Sequence, residues 1–298
     1  MDLLLDRLID GFNNGVIYGF LGLAFVCVYR GSGHLNMAQG EMAMFSGFIA
    51  YSLYQIGFPV VGAVLASAVI AFVAGLAIER TLVRPFGRGH ASDYPVLMIT
   101  VALFLAINSL AGVIWGGEPL AFPAVVPAGP DDYVSLFGSR LRYQSLAFVG
   151  VLVAVLAALW FLFYRTRVGL AMRTATSNPE SAQLVGIRVS RMSALGWGMA
   201  AFIGALIGSL VAPSTTLTTG MMFNFLIYAV VAATLGGFDS PPGVVVAGIA
   251  IGIFENLVAS YVSIVGSDLK QAVALMVMLV VLMVRPYGLF GTPKVERV

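Results

Sequence analysis

The sequence predicts an all-α, polytopic membrane protein with about eight to ten transmembrane helices, and three observations carry that expectation. Hydrophobic residues make up 59% of the 298-residue chain and charged residues only 10%. A soluble domain carries roughly a quarter charged residues. The mean hydropathy is +0.95. The apolar residues run in stretches of about 20, the length that crosses a bilayer core, with the polar residues gathered between them. The net charge of +2 is small, and Cys27 is the single cysteine, which excludes an internal disulfide and a cysteine metal cluster. The first ten residues are acidic rather than basic and lack a small-residue cleavage site, so a removable signal peptide is not expected.

Taken in order, the first span is expected over 12–29, with Gly11, Gly15 and Gly19 spaced to let another helix approach closely. A glycine-rich polar run, 30–41, leads into a second span at 42–56. The third runs from Pro59 to about Val83 and passes into a basic loop ending at His90. The fourth, 95–115, contains Thr100, Asn108 and Ser109. Residues 116–143 hold four prolines and show no helical period, so they read as an external cap rather than a domain. The fifth span is 144–164. The sixth, 192–212, is expected to stop at Pro213. The seventh covers 222–238, the eighth 244–263 and the ninth 268–284. The breaks at 31–41 and 236–243 also admit re-entrant or broken helices, which survive at membrane depth only where protein or a water-filled cavity satisfies the backbone. The two halves echo one another faintly: Asn14 to Tyr18 and Asn224 to Tyr228 each lead a span, and a break and a glutamate-bearing span follow each.

Basic residues orient the chain. With the N-terminus outside and nine spans, Arg30, Arg80, Arg84, Arg88, Arg165, Arg167, Arg173, Arg188, Arg191, Arg285, Lys294 and Arg297 lie inside. Only Arg7, Arg140, Arg142 and Lys270 lie outside. The opposite orientation inverts the ratio, so the C-terminus is expected in the cytoplasm.

That orientation puts the polar run from Arg165 to Ile187 inside. Asn178 can cap free amides, Pro179 suits the first helical position, Glu180 complements the positive end of the dipole, and Gly186 suits the stop. A short helix over 179–185 is therefore expected outside the membrane, in a chain with little else there. Such an element suits docking to a partner.

Within the spans, Glu255 lies mid-helix and Glu41 opens the second span near the cytoplasmic surface. A carboxylate at membrane depth faces a cavity, a partner or a route, or is held by a neighbouring helix, and both roles stay open. Asn13, Asn14, Tyr18, Asn108, Asn224 and Asn256 are further candidates to line a path or to tie helices together. His34 and His90 read as loop residues, and the thirteen methionines as packing filler. Enzymatic templates fail: there is no phosphate-cradling Gly-x-x-x-x-Gly-Lys motif, no His-Glu-x-x-His and no serine elbow. Two histidines make no zinc site. The arginines sit at membrane edges beside lipid rather than forming a nucleic-acid patch. A permease, a secondary transporter or channel using its intramembrane carboxylates, and an intramembrane enzyme are the classes in contention.

The motifs resemble the permease subunit of branched-chain amino acid ABC importers, the LivH type. The resemblance covers the whole length. It is carried by Asn14-Gly-Val-Ile-Tyr-Gly-Phe-Leu-Gly-Leu-Ala, His34-Leu-Asn-Met-Ala-Gln-Gly-Glu41, Ile78-Glu-Arg80 with Arg84-Pro85, and Arg167-Val-Gly-Leu-Ala-Met-Arg173. Leu184-Val-Gly-Ile187, Gly236-Gly237 with Ser240-Pro-Pro-Gly243, and Arg285-Pro-Tyr-Gly-Leu-Phe-Gly291 complete it. Gln39 stands where the family usually has histidine, and Phe238-Asp239 replaces a usual Ile/Met-Gly. Relatives carry other amino acids, urea, short amides or organic acids.

The resemblance implies one permease domain over 1–298 in a bacterial inner membrane, with no cofactor of its own. It implies two cytoplasmic ATPases that bind the ATP and a periplasmic solute-binding protein. It also implies a second permease, a related but distinct chain in preference to an identical copy. Residues 165–191 then resemble the coupling segment seated in an ATPase groove. Arg173, Asn178, Pro179, Glu180, Ser181, Ala182, Leu184 and Gly186 would form its docking residues. Asn13, Asn14, Tyr18, Glu41, Asn224 and Glu255 would belong to the translocation path.

Overall fold

The computed structural model describes residues 2–87, 94–127, 129, 132–136, 139–262 and 269–291. Arg88, His90, Lys294 and Arg297 lie outside the described residues. Helix α1, Asp2–Ser32, is longer than its apolar core, because no conformational break intervenes before Gly33, whose φ is +77°. Then follow α2 (Gln39–Gln55), α3 (Val60–Ile78), a π-helical turn (Glu79–Val83), the short α4 (Arg84–Gly87) and α5 (Tyr94–Trp115).

The 116–143 segment contains a small antiparallel hairpin, β1 (Tyr133–Leu136) and β2 (Ser139–Arg142), with Tyr133 opposite Arg142. Its period of two, in a run of only four residues a strand, was hidden behind the prolines before it. Next come α6 (Tyr143–Arg165), α7 (Arg167–Ser177), α8 (Pro179–Leu184), α9 (Val189–Thr215), α10 (Phe223–Gly236), α11 (Pro241–Tyr261) and α12 (Lys270–Val284). Among the described residues, six helical stretches are long and apolar enough to cross a membrane: Leu4–Ser32, Val60–Phe86, Tyr94–Trp115, Tyr143–Arg165, Val189–Thr215 and Pro241–Tyr261. Helices α10 and α12 are apolar but shorter. The chain is an all-α polytopic membrane protein.

Two expectations are corrected here. Pro213 does not stop α9, which continues to Thr215. The proline falls in the last turn, where its missing N–H costs little, and the hydroxyls of Ser214 and Thr215 donate to the Val211 carbonyl at 2.7 and 3.3 Å. Thr216, at φ +60°, ends the helix instead. The segment after α6 is not one short helix but two, α7 and α8. Thr166 caps α7 by accepting from the Gly169 amide at 3.1 Å.

The chain gathers into two compact units. One comprises Met1–Val26, Val126–Leu156 and Ile227–Val298; the other comprises Cys27–Val125 and Ala157–Leu226. In the first, α1 and α11 run antiparallel, with their glycines at the seam. A methyl group on Gly15 would strike the backbone of Ile249, and one on Gly248 the backbone of Gly19. Bare backbone lets the helices touch along their length, the packing that drives association where lipid removes the hydrophobic effect. In the second unit α2, α3 and α9 share a core around the fully buried Trp197 and Phe48. Trp115 of α5 stacks on Phe48 at 5.0 Å and donates its indole N–H to Ser52 at 2.8 Å.

Candidate functional site

Three places in the chain gather polar side chains, one in the first unit and two in the second. In the first unit, four helices meet at Glu255. Its carboxylate is 1% exposed. The Tyr18 hydroxyl of α1 donates to Oε1 at 2.9 Å, and the Lys270 ammonium at the start of α12 lies 3.5 Å from the same oxygen. Tyr228 of α10 stacks on Tyr18 with ring centroids 4.6 Å apart and planes 16° from parallel. The cluster brings together two residues expected from the sequence, Tyr18 and Glu255. It adds Tyr228 and Lys270, which single-sequence reasoning missed: the tyrosine echo 14–18 and 224–228 was the one signal that pointed to the former. Asn13 and Asn14 lie about one turn before Tyr18 on α1 and are half-buried. The Asn13 side-chain oxygen is buried without a hydrogen bond among the described residues.

In the second unit the break between α1 and α2 is partly buried, with Asn36 and Ala38 enclosed. Asn36 is fully enclosed; its Oδ1 accepts from the Ala38 amide at 3.0 Å, and its Nδ2 donates to Gln39 Oε1 at 3.2 Å. Gln39 in turn donates to the Ala200 carbonyl of α9 at 2.9 Å. The side chains thus serve the backbone that the broken helix leaves bare. Glu41 follows, 1% exposed, accepting from Asn108 Nδ2 at 3.0 Å. The same amide group donates to the Thr219 carbonyl at 2.8 Å. Asn108 stands fourteen residues beyond the start of α5, about 21 Å along its axis. Glu41 is therefore deep beside α5, not near the end of the bundle where its place at the head of an apolar run had put it. Asn224 is exposed.

The third place is the segment 165–191. Asn178 Oδ1 accepts from the Ser181 amide at 2.9 Å and Pro179 occupies the first turn of α8. Gly186, at φ +83°, closes the helix: the Ile187 amide donates to the Ala182 carbonyl at 2.9 Å and the Gly186 amide to Gln183 at 3.0 Å. This is the left-handed termination that a residue without Cβ allows. The helix ends at Leu184, one residue before the expected 185. Ala182 is fully buried, whereas Leu184 and Val185 are 88% and 72% exposed. Beneath lies a cavity of about 750 Å³ lined by Pro179, Gln183, Glu79, Arg84 and Ser190 among others. Arg84 braces it, donating to Glu79 at 2.7 Å and to the Ser190 carbonyl at 2.8 Å.

Helix α7 fastens the segment to the ends of α1 and α6. The Thr176 hydroxyl donates to the Arg30 carbonyl at 2.6 Å, and Arg30 donates to the Tyr164 hydroxyl at 3.1 Å. The guanidiniums of Arg30 and Arg173 both lie 5.3 Å from the Tyr164 ring centroid. Arg173 thus turns toward α6, while Leu184 and Val185 turn away from the protein. Gly169 permits the tight corner, because a Cβ there would meet the backbone of Leu162 and Phe163. Among the described residues no group of three or more histidine, cysteine or acidic side chains could hold a metal ion.

The family described as "Branched-chain amino acid transport system / permease component" matches residues 7–282. The high-affinity branched-chain amino acid transport system permease protein LivH of Escherichia coli is 28% identical over 314 residues, covering 99% of this chain and 97% of that protein. The permease protein BraD of the corresponding Pseudomonas aeruginosa system is 27% identical over 308 residues, covering 99% and 98%.

Proposed function

Because this chain belongs to the family of branched-chain amino acid transport system permease components, we propose that it forms the membrane path of an ABC importer for a branched-chain amino acid. It is a transport subunit rather than an enzyme, and ABC permeases of this family work with ATPase and solute-binding partners. The proposed assembly has two ATPases on the cytoplasmic side, a second, distinct permease and a periplasmic binding protein. Both compact units form one permease domain, with the N-terminus outside and 165–191 in the cytoplasm. Tyr18 and Glu255, with Asn13, Asn14, Glu41 and Asn224, contribute to the path.

One observation carries the coupling role: α8 is capped at both ends and anchored through Ala182, yet it presents Leu184 and Val185 almost wholly bare. A cap at each end fixes the helix without a partner, and two exposed aliphatic side chains on so small an element suit burial in a groove. Arg173, Asn178, Pro179, Glu180, Ser181 and Gly186 support that helix, and ATP is bound by the partner.

The test is uptake of L-leucine, L-isoleucine and L-valine by the reconstituted complex. Replacing the phosphate-binding lysine of the partner ATPase abolishes uptake under this reading. Uptake that continues with that ATPase inactive, driven by a proton or sodium gradient, would instead favour a secondary transporter using its intramembrane carboxylates.

A further inference from the structure

The Glu255 cluster is more than a helix tie. Oε1 of the carboxylate holds both the Tyr18 hydroxyl and the Lys270 ammonium, whereas Oε2 and the neighbouring Tyr228 hydroxyl have at most a weak contact with each other and no hydrogen bond of ordinary length among the described residues. Glu255 and Tyr228 are 1% and 3% exposed. A carboxylate oxygen and a phenol so enclosed keep the full cost of desolvation unless something meets them. The lysine opposite is different in kind, because its side chain is 38% exposed. It reaches in from the first residue of α12 on a flexible four-carbon stem. The pair is therefore a buried anion closed by a cation whose side chain is partly exposed at the start of α12.

We propose that Glu255, Tyr18 and Tyr228 form a receiving site for a primary ammonium group, and that Lys270 is its tethered stand-in. A ligand ammonium that replaces Lys270 keeps the ion pair with Oε1. Free of the tether to α12, its three N–H groups are placed to meet Oε1, Oε2 and the Tyr228 oxygen together, which the Lys270 ammonium does not do. The parallel tyrosine rings add aromatic faces that attract a cation. The remainder of the ligand lies outward, along the route of the lysine stem, where the cluster makes no demand on its shape. The site thus selects for an amino group and not for a side chain. That the ligand is the α-ammonium of a transported amino acid rests on the transport reading above; that the site takes a primary ammonium does not.

Substituting Lys270→Met removes the resident ammonium while keeping the length of the stem, at a position exposed enough to tolerate it. The probe is ethylammonium, titrated into the purified complex carrying that change, with unfolding temperature as the readout. Ethylammonium is expected to raise Tm of the Lys270→Met complex in a saturable manner. The wild-type complex is expected to respond only at much higher concentrations, because its own lysine competes. Tetramethylammonium, which has no N–H, is expected to give no saturable rise. A second variant, Tyr228→Phe in the Lys270→Met background, removes one acceptor and keeps the packing, so the half-saturating concentration is expected to rise several-fold. Equal shifts with ethylammonium and tetramethylammonium, or no shift with either, would overturn the site. L-Leucine compared with 4-methylpentanoate, its analogue without the amino group, then separates the two readings. A shift with ethylammonium but not with L-leucine keeps the ammonium site and removes the amino acid from it.

Discussion

Single residues show how a polar group is tolerated in a chain this apolar. Asn36 supplies acceptor and donor to a partly buried bend in which helical bonding is interrupted. Asn36→Ala is expected to leave the Ala38 amide and Gln39 without their partner, costing about 1–3 kcal/mol. Thermal unfolding of the purified permease checks it; an unchanged Tm would mean the bend satisfies itself otherwise. Asn36 sits inside the quoted run 34–41, but its role was not legible, because nothing in spacing alone says that a bend is buried. Asn178 is the contrasting case. Its cap follows from local chemistry, a short amide followed by proline and an acid, and the 2.9 Å bond to Ser181 is where that chemistry requires it. Glu255 lies between: a mid-span carboxylate can be spotted in the sequence. Which helices contribute Tyr18, Tyr228 and Lys270 depends on packing, across 237 residues of separation in the case of Tyr18.

At the scale of the element, the bare glycine seam holds α1 to α11. Gly15→Ala or Gly248→Ala is expected to push the two backbones apart and lower the yield of folded permease sharply. Gly112→Ala provides a control on α5, since nothing lies within 4 Å of a methyl group there; it is expected to be neutral or to stabilise slightly through helix propensity. Size-exclusion profiles of the variants in detergent distinguish them, and equal profiles would contradict the seam. The glycine spacing in 11–19 was readable as a packing face. Its partner was not, because the Gly248 and Gly252 pair of α11 has the same spacing as Gly204 and Gly208 of α9. Element boundaries followed the same logic. Helix α8 was legible from its caps and came out one residue shorter, whereas α7 was missed because its apolar positions Val168, Met172 and Ala175 sit within a run of only 11 residues that also carries Gly169, two arginines and two threonines. Pro213 misled because a proline in a last turn is compatible with helix, and the position of that last turn is set by the Val211 carbonyl and the hydroxyls after it.

For the whole molecule, composition together with apolar runs of about 20 residues pointed to an all-α membrane protein, since helices and closed barrels satisfy every backbone group in lipid and only helices need runs of that length. The sidedness proposed for it rests on twelve basic residues against four. The chain offers a convenient check, because Cys27 is its sole cysteine and is buried. Glu118→Cys and Gln183→Cys therefore introduce single accessible thiols that the proposed topology puts on opposite sides of the membrane. A membrane-impermeant maleimide applied to whole cells, with the outer membrane permeabilised, is expected to label position 118 and to spare 183 until the inner membrane is opened. Labelling in the reverse order would invert the topology and move α8 away from any cytoplasmic partner.

The most direct measurement of the coupling claim is the number of solute molecules imported per ATP hydrolysed by the reconstituted complex when Leu184, 88% exposed at the end of α8, is changed to aspartate. The side chain has almost no contact with its own chain, so Leu184→Asp is expected to leave folding and insertion intact. It is expected to lower uptake at least about tenfold, with hydrolysis no longer stimulated by the binding protein; a tenfold effect corresponds to a loss of about 1.4 kcal/mol at the docking surface. Wild-type uptake with a wild-type ratio of solute to ATP would contradict the assignment of α8 as the element that receives the ATPase.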